Sequence, residues 1–173
     1  MKTLVIHPKD PTTDMLCLVY RDMNCTVIRN NLPNGTLKKL IQEHDRVIMM
    51  GHGTPTGLIG FGKYVIDSSL VYLLREKKEL VCVWCNADEF VKKYELKGLY
   101  SGMIISEKDE ADYCMVECTY KDVDKSNDYF SEALTECVAK GYSLDVFHDK
   151  YYDWDNEENP VMEYNRQRMY FKK

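Results

Sequence analysis

Residues 47–62, VIMMGHGTPTGLIGFG, decide how the chain is to be read. Four apolar residues run without interruption into Gly51-His52-Gly53, and three more glycines follow within ten positions. An unbroken apolar run of this length, bounded by glycine, fits a strand buried on both faces, as strands of a parallel sheet are. A second stretch, LVCVWCNADEF at 80–90, has the same form: an apolar run that ends on a reactive residue, Cys85, before a helical pattern begins.

Outward from these two runs, strands alternate with helical patterns. Strands are expected at 3–7, 25–29, 46–50, 80–84 and within LYSGMIIS at 99–106. Helical patterns are expected at about 12–22, 36–43, 68–77 and 88–96, and in a later helix that begins near Asn127. In that helix Phe130, Ala133, Leu134, Cys137 and Val138 recur at helical spacing and Gly141 ends it. Ser68 is the expected cap of the third helix, and NLPNG at 31–35 is a turn. The tail VMEYNRQRMYFKK, 161–173, fits an edge strand or a helix. The acidic run DKYYDWDNEEN, 149–159, reads as a solvated surface loop. Alternation of this kind implies an α/β fold with a mostly parallel central sheet and helices on both faces. In such a sheet ligands gather at the carboxyl ends of the strands, where both decisive stretches end.

At 173 residues, the chain matches one domain, residues 1–173. With 23 Lys and Arg against 28 Asp and Glu, the net charge is −5. No basic face stands out, so nucleic acid is not an expected partner. Nothing has the length of a membrane span, and the N-terminal run reads as a strand instead of a signal peptide. Seven cysteines are an odd number. Cys17, Cys25, Cys82 and Cys137 lie in apolar patterns and read as buried free thiols in a reducing, cytoplasmic setting.

His52 and Cys85 each stand just past the end of a strand. If those strands are neighbours, both side chains leave the sheet at one edge. A cysteine needs a base to become a thiolate nucleophile, and histidine is the usual one. Acyl transfer also needs donors for the oxyanion, for which the N–H groups of Gly53 and Cys85 are candidates. His7, His44 and His148 read as structural or surface histidines. Cys82-Val-Trp-Cys85 has the form of a redox dithiol, but strand alternation points residues 82 and 85 to opposite faces. The same opposition argues against a zinc site made with Cys114 and Cys118. Gly57-x4-Gly62-Lys63-Tyr64 is close to a phosphate-binding loop, yet tyrosine replaces the magnesium-holding hydroxyl; a mobile loop beside the site accounts for the glycines better.

MMGHGTPTG and VWCNADEF resemble the His-Gly and Cys blocks of the caspase-like cysteine peptidases, clan CD, and most closely those of the gingipain branch. SGMIISEKDEA is similar to the strand and loop that follow in that group, so the resemblance spans about residues 1–140. It implies a three-layer caspase-like fold with the first strand beside the third. It further implies a cysteine endopeptidase with His52 as general base, Cys85 as nucleophile and no metal or cofactor. The substrate is then a peptide or protein, and a homodimer is among the expected partners because the chain lacks the extra domains of larger relatives. Asp10 and Glu107 are candidates for binding a basic residue before the scissile bond. Trp84 stands where relatives keep a small residue, and is expected at the substrate crevice. The alternative is a catalytically inactive caspase-like scaffold with a binding or regulatory role.

Overall fold

The apolar runs become strands because each side chain along them finds a packed face. The computed structural model of the protein describes residues 1–141, 143–151 and 158–173. Thr3–Ile6 (β1), Thr26–Ile28 (β2), Arg46–Met50 (β3), Glu79–Val83 (β7), Gly98–Ser101 (β8) and Met169–Lys172 (β9) form a sheet in the order β2-β1-β3-β7-β8-β9. The first five strands are parallel, and β9 runs antiparallel along the edge of β8. A smaller antiparallel sheet is built from Gly53–Thr54 (β4), Gly57–Gly60 (β5) and Lys63–Ile66 (β6).

The helices in chain order are Asn34–Glu43 (α1), Val71–Leu74 (α2), Ala87–Lys93 (α3), Lys108–Tyr113 (α4), Tyr120–Lys140 (α5), Leu144–Lys150 (α6) and Pro160–Arg166 (α7). Strand alternation splits the core in two. Leu4, Val47, Met49, Leu80, Cys82 and Trp84 face a layer that includes Leu37, Leu74, Phe90 and Leu58. Val5, Ile48, Met50, Val81 and Val83 face Leu16, Phe130, Leu134 and Phe147. Burial of each such aliphatic side chain contributes about 1.5–3 kcal/mol.

Several elements depart from the sequence expectation. The stretch 12–22 is a 3-10 helix over Pro11–Tyr20, capped by Asp10. The helix expected at 68–77 is a 3-10 turn at Ser68–Leu70 followed by one turn of α2, and its cap is Asp67, which accepts from Ser69 N–H. The strand in 99–106 stops at Ser101: Gly102 N–H makes one last bond in register, to Arg168 O, and beyond it Asn165 takes both backbone groups of Ile105. α5 begins at Tyr120, earlier than its apolar periodicity, because Thr119 and Asp122 cap each other reciprocally. The tail is both things: α7, capped by Asn159, and then the edge strand β9.

The segment expected as a mobile loop is instead the small sheet. Phe61 and Gly62 both have positive φ, 56° and 71°, in the two-residue turn between Gly60 and Lys63. Such a turn matches the twist of a hairpin. Most of the acidic run at 149–159 lies at 152–157, outside the described residues. Among the described residues no helix is long and apolar enough to cross a membrane.

Candidate active site

The site lies where β3 and β7 end. Their register pairs Met50 with Val83, and Gly51 N–H continues it to Val83 O at 3.1 Å. His52 and Cys85 stand two residues beyond the last strand residues, Met50 and Val83, at the carboxyl edge of the sheet. Gly51 has φ 139°, a conformation that glycine adopts readily. Gly53 is required for a different reason: a Cβ there would lie 2.1 Å from Trp84 Cδ1.

Trp84, expected at a substrate crevice, is therefore an internal residue. It is fully buried, packs edge-on to Phe90 at 5.6 Å, and donates its indole N–H to Thr54 O at 3.0 Å. Strand alternation sends it to the face opposite Cys85, where its bulk supports the backbone of Gly53. The turn after it is held by Ser101 Oγ and Ala87 N–H, both donating to Trp84 O. Asn86 takes the left-handed conformation, φ 64°, and donates its N–H to Gly102 O. Among the described residues no acceptor takes the N–H of Cys85.

His52 leans toward β1. Its Nε2 lies 2.6 Å from Thr12 Oγ1 and 3.9 Å from Asp10 Oδ1. The Thr12 hydroxyl proton goes to Asp10 Oδ1 at 2.7 Å. Thr12 has one such proton, so Nε2–H is the donor to Oγ1, and Nδ1 carries the imidazole's free lone pair. The Thr12 hydroxyl, then its N–H, hold the Asp10 carboxyl below the usual carboxylate range. Asp10, expected to meet substrate, thus borders His52.

Cys85 leans the other way, toward β8 and α4. Its Sγ lies 3.7 Å from Ile104 O and 3.8 Å from Glu110 Oε1. Burial, and next the Glu110 carboxylate, push the thiol up to about 12. Among the described residues no hydrogen bond joins this thiol to the imidazole: each side chain is held by its own partner. Glu107 is the N-cap of α4, and it is Glu110, three residues on, that touches the thiol.

Comparison with known proteins finds no matching family model, no matching curated protein and no matching solved structure.

Thr12 and Glu110 were not anticipated from sequence. For Glu110 a local signal exists, the Glu107-x-x-Glu110 capping spacing; for Thr12 the only pointer is its nearness to Asp10. The other histidines serve structure: buried His7 bonds Tyr20 and Thr13, His44 bonds Leu40 O and Thr26, and His148 bonds Arg166 O. All seven cysteines are free thiols. Cys82 and Cys137 are buried, and burial raises both, Cys137 to about 11. Cys17 and Cys25, expected to be buried, are partly exposed. Cys17 accepts hydrogen bonds from Arg29 Nη1 at 2.8 Å and Tyr20 Oη at 3.1 Å, which accounts for a polar position in an apolar pattern. Among the described residues no group of three or more His, Cys, Asp or Glu could hold a metal ion.

Proposed function

We propose that this chain is a cysteine peptidase of caspase-like, three-layer design, which hydrolyses peptide bonds through Cys85 and His52. Its main support is the parallel pairing of β3 with β7, from which the two residues emerge side by side at one sheet edge. The resemblance calls for the first strand beside the third, and β1 pairs with β3 from Thr3 opposite Arg46 to Ile6 opposite Met49.

In this mechanism His52 Nδ1 takes the thiol proton as Cys85 Sγ attacks the substrate carbonyl carbon. The N–H groups of Cys85 and Gly53 receive the oxyanion, a contribution of about 10²–10³ in rate per donor. Collapse expels the amine, which takes the proton from the imidazolium, and water then hydrolyses the thioester. Thr12 and Asp10 steady Nε2–H and stabilise the charge on the ring, as a buried carboxylate does for other catalytic imidazoles. The thiol must first leave Glu110 and turn toward the imidazole, which stays on Thr12; unliganded sites are often loose in this way. Asp10, Glu107 and Glu110 make the rim acidic, in keeping with a basic residue before the scissile bond. Seven free thiols fit a reducing compartment such as the cytoplasm.

The test is a peptide-library cleavage screen. Cys85→Ala and His52→Ala should each abolish turnover, and the double variant should be little worse, because the two act as a unit. A second function, that of an inactive caspase-like scaffold, is favoured by the thiol's pairing with Glu110 in place of His52. A wild-type protein that cleaves nothing in a diverse library would leave that one standing.

A further inference from the structure

We propose that Glu110 is a positioning residue that keeps the Cys85 thiol protonated and unreactive for as long as its carboxylate is charged. The proposal rests on Cys85 as the nucleophile assigned above, but it makes its own claim about the chemistry of that sulfur.

The geometry begins at the start of α4. Glu110 Oε2 accepts three hydrogen bonds, from Ser106 N–H at 2.7 Å, Ser106 Oγ at 2.9 Å and Glu107 N–H at 3.1 Å. These anchor one oxygen and leave the other, Oε1, directed at Cys85 Sγ. The loop that bears the donors is itself pinned. Asn127 Nδ2 of α5 donates to Ser106 O, and Asn165 of α7 bonds both backbone groups of Ile105. The carboxylate is thus held against the thiol by three separate elements.

The two groups that Sγ contacts, Ile104 O and Oε1, are both acceptors. Removal of the thiol proton would leave a negative sulfur facing a carboxylate and the negative end of a carbonyl dipole, in a partly buried place. A thiolate there is disfavoured by like charge and by desolvation together. The titratable groups that act on Cys85 are Glu110 and, at the end of α4, Cys114. On the β3 side the imidazole is occupied by Thr12. Lys108, two residues before Glu110 on α4, pairs with Asp112. Cys17 shows the opposite arrangement in the same protein, since its sulfur accepts from a guanidinium and a phenol. One sulfur is surrounded by donors and the other by acceptors, so the environment of Cys85 is a specific choice of neighbours and not a general property of this core.

The test follows alkylation of each cysteine by iodoacetamide from pH 5 to 9, read by peptide mass spectrometry on the full chain. Glu110→Gln keeps an acceptor for the helix cap and removes the charge. It should label Cys85 about tenfold faster or more at pH 7, as a thiolate population raised by one pKa unit requires. Its rate profile should move to lower pH while Cys17 is unchanged. Glu110→Asp, which keeps the charge, should stay slow, and Asp109→Asn, a neutralised exposed neighbour on α4, should match wild type. Labelling of Glu110→Gln at the wild-type rate, or equal acceleration by Asp109→Asn, would overturn the proposal. Faster labelling without peptide cleavage in any form would remove the peptidase assignment and leave this one standing. Cleavage by wild type with labelling unaffected by Glu110→Gln would do the reverse.

Discussion

Trp84→Ala separates a core pillar from a pocket plug. As a plug beside Cys85, Trp84 could be truncated with little loss of stability. As a pillar, it supports the fold at three points: its ring is fully buried against Phe90, its indole N–H satisfies Thr54 O, and Gly53 lies directly on it. Truncation of a buried aromatic to alanine costs about 3–5 kcal/mol, with the residual cavity included, and loss of the indole donor keeps the value near the upper end. In a chain of this size, about 3–5 kcal/mol is a fall in Tm of about 6–20 °C. Trp84→Phe keeps a ring against Phe90 and loses only the N–H and part of the volume, so it should cost about 1–2 kcal/mol. Urea unfolding followed by far-ultraviolet circular dichroism gives both numbers without relying on the tryptophan signal that the substitutions alter. A loss below about 1 kcal/mol for Trp84→Ala, at unchanged slope, would refute the pillar and restore Trp84 to the crevice.

His7 is buried, and desolvation followed by the nearby Arg29 charge lowers it from 6.5 to about 4. The unfolded chain therefore binds a proton that the folded chain refuses between these values. Stability should be complete above about pH 6.5 and fall as the pH drops toward 4, by roughly 3 kcal/mol. His7→Gln should flatten the urea midpoint over that range, and an unchanged slope against pH would count against the assignment. Asn165→Ala should leave the N–H and C=O of Ile105 without partners in a buried place, at a cost of about 3 kcal/mol. Hydrogen exchange at the Ile105 amide should speed up with it, and wild-type protection of that amide would show that the loop is held by something else.

How much of this was legible follows from the range of the forces involved. VIMM and LVCVW are strands on sight, because a run of apolar residues without alternation is stable only when both faces are covered, and the helices beside them cover both. The opposed directions of Cys82 and Cys85 follow from the two-residue period of a strand; the same period puts Trp84 on the face away from Cys85, against the expectation of a crevice position drawn from the resemblance. The hairpin at Phe61-Gly62 is hidden behind glycines that fit a mobile loop equally well, because its turn is set by positive φ and strand twist and not by apolar alternation. The start of α5 was missed because its first turns carry caps and charge in place of apolar periodicity.

The sequence by itself determined the alternation of buried strands with helices and the presence of a histidine and a cysteine just past the ends of two of those strands. Only the tertiary structure decided where those two side chains turn. Thr12 lies 40 residues from His52 in the chain, and Glu110 lies 25 residues from Cys85. A strand's faces are set by bonds between neighbouring residues, but a side chain at a strand end has no period to obey. It turns to whichever donor or acceptor the packing of distant elements brings within about 4 Å. Here that packing places a hydroxyl and a carboxylate beside the imidazole and a second carboxylate beside the thiol.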